Sequence, residues 1–333
     1  SRDAADDYAS RKQIKVISHY DTDGITSAAI FSRTLQRWNK NFSLEIVKSL
    51  EEGFIKSLPE SHILIFLDLA SNSLDYLKNK NTEIFVLDHH EIVQEIPSNV
   101  TMINPHKFNS DLISSAAICY LFSKTLSHSN LDLANLAVIG MIGDSMEKNL
   151  SKTYNEIIND SETVVRRGLL IYPSTRPLDK ALEYSSSPFI PEVTGSYRGV
   201  LELLKDSGIS PISGRHKSLY ELSDTEMGNL ITSIMLRIGE TKSDEFIGNI
   251  YLIKFFNKLE DARELSALIN ACSRMDSPYI CLGFCLGNKQ AKEEAEKIYI
   301  SYKQHIVSAL RFVSESEKIS GKKYTIINAK NNI

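Results

Sequence analysis

Short apolar runs recur through the first third of the chain, and most end in polar residues. IKVIS (14–18), FSLEIVKS (42–49), HILIFLD (62–68), EIFVLD (83–88) and VTMINP (100–105) are rich in branched side chains, and each predicts a strand. Between and after them, apolar positions return at helical spacing. GITSAAIFSRTLQRW (24–38), a short stretch at 72–79, LISSAAICYLFSKTL (112–126) and LDLANLAVIGMIGD (131–144) predict helices. Near-continuous apolar strands separated by helices imply a mainly parallel sheet covered on both faces, an α/β doubly wound domain. In such sheets ligands sit beyond the carboxyl ends of the strands.

The pattern changes near residue 150. YNEIINDSETVVRRGLLIY (154–172) reads as a helix leaving the first domain, and a loop-rich stretch with Pro173, Pro177, Pro188 and Pro191 follows. A helical section is expected over 216–260, another helix over LEDARELSALINA (259–271), and a long one over about 289–314. YICLGFCL (279–286) alternates like a strand. The closing KKYTIINAKNNI reads as a strand entering a sheet. A terminus there leaves an unpartnered edge, so the chain is expected to be a fragment lacking most of a second lobe.

Composition narrows the class. Hydrophobic residues are 42%, charged residues 24%, and the net charge is −4, ordinary values for a globular protein without a global basic footprint. The opening SRDAADDYASRKQ reads as a solvated lead-in. No apolar run is long enough to span a bilayer, and no secretory signal pattern is present. Cys119, Cys272, Cys281 and Cys285 make no disulfide framework in a chain of this size, which points to a reducing, cytoplasmic compartment. Cys281 and Cys285 have no accompanying CxxC pair and are read as core residues, not zinc ligands.

The strand ends carry the chemistry. The first ends in SHYDTDG, where His19, Asp21 and Asp23 are spaced by two and share a direction on an extended backbone. The third ends at Asp68 and the fourth at Asp88, His89 and His90. A helix reaches Asp144 through GMIGD, with Gly140 and Gly143 allowing close backbone approach. So many carboxylates at one edge repel one another unless cations neutralise them. Mixed oxygen and nitrogen donors suit Mn²⁺, Mg²⁺ or Zn²⁺, and the excess of carboxylates favours Mn²⁺. The donors suffice for two ions about 3.5–4 Å apart, the spacing of two-metal phosphoester chemistry.

HYDTDGITSA, LDLAS, LDHHE and GMIGD, in that order, resemble the four motifs of the DHH phosphoesterase superfamily. Residues 172–195 and 265–287 resemble segments of archaeal RecJ-like exonucleases, also called GINS-associated nucleases, so the resemblance runs over nearly the whole chain. It implies that Asp23, Asp68, His89 and Asp144 hold one metal, and that His19, Asp21 and Asp68 hold the other with Asp68 bridging. It also implies water as the nucleophile, His90 touching the phosphate or assisting proton transfer, and Asp88 orienting an imidazole. Arg274 resembles a substrate contact of the second lobe. His106, after the fifth strand, is a candidate phosphate contact or a surface-loop histidine. Ser114 and Ser115 either cap a helix whose N-terminus faces a phosphate or simply pack. The implied organisation is a DHH catalytic domain (14–185), a linker with a helical insertion (186–260) and a partial DHHA1 substrate-binding lobe (261–333).

The function implied is a single-strand-specific DNA or RNA exonuclease of replication or repair, dependent on two divalent metal ions, Mn²⁺ or Mg²⁺. GINS and the replicative helicase assembly are the implied partners, with the helical section 216–260 as the docking surface. Two alternatives stand beside it. One is a small-substrate DHH hydrolase (an oligoribonuclease, nucleotide phosphatase, cyclic-dinucleotide phosphodiesterase or pyrophosphatase). The other is a catalytically silent replisome scaffold, against which the intact set of acidic and histidine residues argues.

Overall fold

The computed structural model describes residues 13–108, 110–148, 150–185, 188–239 and 246–329. The polar lead-in therefore lies outside the described residues, except for its last residue, Gln13.

The first half forms the expected sheet. Strands β1 (Gln13–His19), β2 (Phe42–Val47), β3 (His62–Leu67), β4 (Ile84–Leu87) and β5 (Val100–Ile103) are all parallel, in the order β2-β1-β3-β4-β5. Alternate residues of β1 serve opposite layers. Val16 joins the core under helices α1 (Thr22–Arg37), α4 (Ser115–Leu126) and α5 (Ala134–Gly143), whereas Ile17 joins the layer under α2 (Glu52–Ser57) and α3 (Leu74–Leu77). Burial on both faces explains why the strands read as continuous apolar runs. The strand order reverses between β1 and β3, which places a crevice at their carboxyl ends.

Helix α1 is the central element of its layer, and two of its buried threonines are bonded within the helix and across to α4. Thr26 Oγ1 donates to the Thr22 carbonyl at 2.8 Å, and Thr34 Oγ1 donates to Ser123 Oγ of α4 at 2.7 Å. Glycine is obligatory just inside the helix. A Cβ at Gly24 would stand 2.3 Å from the His19 carbonyl oxygen, so only glycine lets the chain turn this tightly from β1 into α1.

The second half departs from the sequence reading in three places. The helix expected over 154–172 is α6 (Lys152–Asp160), followed by strand β6 (Val164–Leu169). Glu162 takes a left-handed φ of 51°, which ends the helix, and the paired Val164 and Val165 then favour an extended chain. Past the short α7 (Leu178–Glu183) and α8 (Tyr197–Asp206), the described residues of the section expected to be helical over 216–260 include the helix α9 (Asp224–Ile238). The section then becomes strands β7 (Ile247–Phe255) and β8 (Lys258–Asp261). Phe256 and Asn257 have φ of 50° and 60° between the paired Phe255 and Lys258, the two-residue turn that matches hairpin twist. Residues 279–286, expected as a strand, lie almost entirely in helix α11 (Pro278–Cys285) with proline in its first turn. Residues four apart share a face in a strand and in a helix alike, so Cys281 and Cys285 are buried in either case.

Antiparallel β6, β7 and β8 form the second sheet. Strand β7 is apolar on both sides because it separates two cores. Tyr251 and Ile253 face the first core, and Ile250 and Leu252 face that of the insertion between β6 and β7. The chain then returns to the first core through α10 (Ala262–Arg274), α11 and α12 (Lys289–Glu315). Thr22 fixes α10 against the start of α1: its amide donates to Asn270 Oδ1 at 3.1 Å and its hydroxyl to the Ser266 carbonyl at 3.0 Å. Among its described residues, the apolar run near the end forms β10 (Thr325–Ile326), paired with β9 (Ile319–Ser320), and these residues are exposed.

Candidate metal centre

The carboxyl edge of the first sheet gathers the predicted acids and imidazoles. His19 Nδ1 lies 3.1 Å from Asp21 Oδ2 and 3.3 Å from Asp68 Oδ2. His89 Nε2 lies 3.0 Å from Asp144 Oδ2, 3.5 Å from Asp68 Oδ1 and 3.9 Å from Asp23 Oδ2. Three overlapping triads can each offer ligand atoms within 4.8 Å of one another: His19, Asp21 and Asp68; Asp23, His89 and Asp144; and Asp68, His89 and His90. Asp68 therefore stands between imidazoles from two strand ends. Its backbone takes a left-handed φ of 59° immediately after β3, a conformation Asp tolerates better than most residues.

Surrounding groups fix these donors. Asp23 is completely buried, and its carboxylate accepts the Ser115 amide at 2.6 Å and the Ala116 amide at 2.9 Å. The amides at the N-terminus of α4, which have no partner within the helix, thus point at a candidate ligand carboxylate. Ser115 Oγ donates to Asp68 Oδ1 at 3.0 Å. Ser114 is the helix cap, its Oγ accepting from the Ala117 amide at 3.3 Å. Buried Asp88 accepts the His90 ring nitrogen Nδ1 at 2.7 Å, the His89 and His90 amides, and the Ser71 amide at 2.9 Å. Asn104 closes the loop by donating to the His90 carbonyl at 2.9 Å and to Ser71 Oγ at 3.1 Å.

Gly140 shows how tightly α5 approaches. A Cβ there would meet Ala116 Cβ at 2.5 Å, Asp23 Oδ1 at 2.6 Å and Thr26 Oγ1 at 2.8 Å. The glycine legible in GMIGD is thus a contact surface for a ligand carboxylate.

Electrostatics fit cations. Burial would push the His19 and His89 imidazoles down, but the facing carboxylates outweigh it and raise them to about 10 and about 11. Burial, then the charges of Asp144 and Asp68, push Asp23 well above the usual carboxylate range. Burial also pushes Asp68 up. Burial pushes Asp88 up as well, but His90 and Ser71 outweigh it and hold the carboxyl down to about 2. Protons on the imidazoles thus offset the buried acids, in the place divalent cations would take. His19 Nδ1, Asp68 Oδ2 and Asp144 Oδ2 are buried without hydrogen-bond partners among the described residues, although each faces another donor of the cluster. Carboxylates and imidazoles aimed at one another in this way suit Mn²⁺ or Mg²⁺.

The remaining candidates separate. Arg274 lines a cleft of about 400 Å³ that adjoins His19 and Asp21, and its Nη1 donates to Tyr302 Oη at 2.9 Å. His106 is exposed on the turn Pro105–Phe108, its amide bonded to Asn104 Oδ1 at 2.9 Å, and it is in none of the triads. Ser115, expected to cap a helix whose N-terminus faces a phosphate or simply to pack, bonds Asp23 through its amide and Asp68 through its hydroxyl. Sequence reasoning did not reach Lys48, Asn270 and Ser273, which share the cleft with Arg274. They come from the residue after β2 and from α10, with no motif to connect them.

Comparison with known proteins agrees with this geometry. The N-terminal domain of the DHH family matches residues 13–141, and the DHH-CID domain matches residues 171–245. An uncharacterised protein of Methanocaldococcus jannaschii is 28% identical over 315 residues, covering 90% of this chain and 70% of its own. The crystal structure of CDC45 from Entamoeba histolytica superposes with a TM-score of 0.68 at 15% identity, covering 97% of this chain and 76% of that one. That of exonuclease RecJ bound to manganese gives 0.55 at 16% identity, covering 95% and 70%. At these identities the two structures establish a shared fold. The matched domains support a place among DHH proteins.

Proposed function

We propose that this chain, as a protein of the DHH, RecJ-like superfamily, hydrolyses phosphodiester bonds of single-stranded DNA or RNA with two divalent cations. The observation that carries the reading is the set of overlapping triads joined through Asp68 and His89. In the proposed division His19, Asp21 and Asp68 hold one cation, and Asp23, Asp68, His89 and Asp144 hold the other. When bound, the ions supply Lewis-acid stabilisation of developing charge and a more acidic attacking water. The α4 N-terminus and Ser115 keep Asp23 and Asp68 aimed at the ions. His90, partly exposed and held through Nδ1 by Asp88, is placed to contact the phosphate or carry a proton. Mn²⁺ is the proposed native ion.

A second reading has its own support. The likeness to CDC45 fits a scaffold that docks other proteins without catalysis. The intact donor set favours the catalytic reading, since a silent scaffold gains nothing from burying mutually repelling acids. GINS and the helicase assembly remain proposed partners, as does the place among archaeal GINS-associated nucleases. So do the division at residues 185 and 260, the DHHA1 lobe after 260, and the roles of His106 and Arg274 as substrate contacts. The expected docking section, 216–260, includes β7, whose Tyr251 and Ile253 belong to the first core. A docking test therefore requires surface changes such as Leu236→Glu on α9, where Leu236 is 81% exposed. The functional test is hydrolysis of a labelled single-stranded oligonucleotide, beside pyrophosphate and a dinucleotide, with Mn²⁺ and with chelator. Oligonucleotide cleavage that needs Mn²⁺ and the wild-type Asp68 supports the nuclease reading. Hydrolysis of only the small substrates, or of none, overturns it.

A further inference from the structure

The cleft beside His19 and Asp21 is also lined by Tyr20, Lys48, Asn270, Ser273 and Arg274. None of these five belongs to the triads. The cleft is built for an anion. Lys48 and Arg274 bring positive charge, and Ser273 Oγ, on a residue only 1% exposed, has no hydrogen-bond partner among the described residues. A buried hydroxyl left unpaired in a cleft wall is costly until a ligand or water meets it.

Lys48 is already engaged. It follows the end of β2, and its ammonium lies 2.7 Å from Asp276 Oδ1 in the turn after α10. A second bond ties the same elements: Tyr279 Oη of α11 accepts the Ile46 amide of β2 at 3.2 Å. The Lys48 head also lies 5.9 Å from the ring of Tyr20, next to His19, so it is within reach of the cleft. The Lys48 and Asp276 side chains are 64% and 78% exposed, and an ion pair so open to water exchanges partners at little cost.

We infer that Lys48 is a specificity-determining residue held in reserve by Asp276. It leaves Asp276 to pair with the phosphate neighbouring the scissile one, so the cleft favours a polyanionic strand over a single phosphate ester. The inference rests on the reading of the metal centre as a phosphodiesterase. No covalent bond is made or broken in the exchange. Asp276 releases one cation, and the strand supplies the replacing anion.

Steady-state hydrolysis by the full chain in Mn²⁺ tests this with two probes, a short single-stranded oligonucleotide and the p-nitrophenyl ester of thymidine monophosphate. Asp276→Asn keeps a residue suited to the left-handed φ of 54° at that position. It should lower KM for the oligonucleotide about two- to fivefold with kcat unchanged, the release of one exposed ion pair. Lys48→Gln should raise that KM and flatten its dependence on the logarithm of salt concentration by about 0.7, the loss of one phosphate contact to a single strand. Neither change should move KM for the nucleotide ester. In the Lys48→Gln background, Asp276→Asn should give a markedly smaller gain, because no cation remains to be released. An equal gain in both backgrounds would mean that Asp276 acts only as a distant charge, and would overturn the latch. No gain in either background, or equal shifts for both probes, would overturn it too. Wild-type chain that cleaves neither probe overturns the reading of the metal centre, and this one with it.

Discussion

Gly140→Ala places one methyl group against a buried ligand. To restore ordinary contact, Asp23 Oδ1 would retreat from 2.6 Å to about 3.4 Å from the new carbon. It cannot retreat alone, because the Ser115 and Ala116 amides hold both oxygens and Ala116 Cβ itself stands 2.5 Å from the methyl. The start of α4 must shift with it. Overpacking of this kind costs about 1–3 kcal/mol, while alanine returns about 0.5–1 kcal/mol of helix propensity. The net loss is at most about 2.5 kcal/mol, which for a chain of this length lowers Tm by no more than about 4 °C. The effect on chemistry is larger, since misplacing a ligand by about 1 Å costs on the order of 100-fold in rate. Mn²⁺ titration by calorimetry, with oligonucleotide hydrolysis beside it, reads both. Gly228→Ala in α9, where a Cβ meets nothing within 4 Å, is the control and should gain stability with activity unchanged. If Gly140→Ala kept wild-type Mn²⁺ affinity and turnover, the argument that α5 presses on Asp23 would be wrong.

Four further outcomes are expected. Ser115→Ala removes the hydroxyl donated to Asp68 and should weaken Mn²⁺ binding about 10- to 100-fold, which electron paramagnetic resonance titration can measure; unchanged affinity would remove Ser115 from the site's support. In the metal-free chain, imidazole pKa values raised to about 10 and about 11 contribute stability that is complete below pH 6.5 and lost as pH rises through those values. Thermal melts in chelator should therefore fall from pH 7 to 10, and saturating Mn²⁺ should flatten that fall; equal slopes would count against metal replacing protons. Arg263→Met leaves Glu147 buried without its partner at 3.0 Å, and the urea midpoint should drop by the equivalent of about 3 kcal/mol; an unchanged midpoint would show that water already satisfies Glu147. Leu236→Glu should abolish GINS binding if α9 is the docking face, with hydrolysis intact; loss of both would give α9 a structural role instead.

The candidate metal donors were legible because they sit where strands and helices end. β1 delivers His19, but the extended spacing expected over 19–23 ends at Asp21, which caps α1, and Asp23 lies in that helix's first turn and joins a different triad; parallel strands deliver Asp68 and His89 to the same edge. Ser115 was legible as a position but not as a contact, since its partners belong to segments 47 and 92 residues away. The cleft was illegible for the same reason: Lys48 and Asn270 carry no local signal. The errors in the second half have local causes. A strand such as β7, buried against two cores, loses the alternation that would distinguish it from a helix segment, and Phe-Asn is a weaker turn signal than Asn-Gly. The i, i+4 spacing of Cys281 and Cys285 fits a helix and a strand equally.

Cleavage of an end-labelled single-stranded oligonucleotide, with Mn²⁺ and with chelator, by wild type and by Asp68→Ala, tests the central claim most directly. Wild type should cleave only with Mn²⁺. Asp68→Ala should be inactive at saturating Mn²⁺ while remaining folded by circular dichroism, because losing one of several clustered carboxylates relieves repulsion in the metal-free chain. Wild-type turnover by Asp68→Ala, or cleavage in chelator, would contradict a centre that Asp68 bridges.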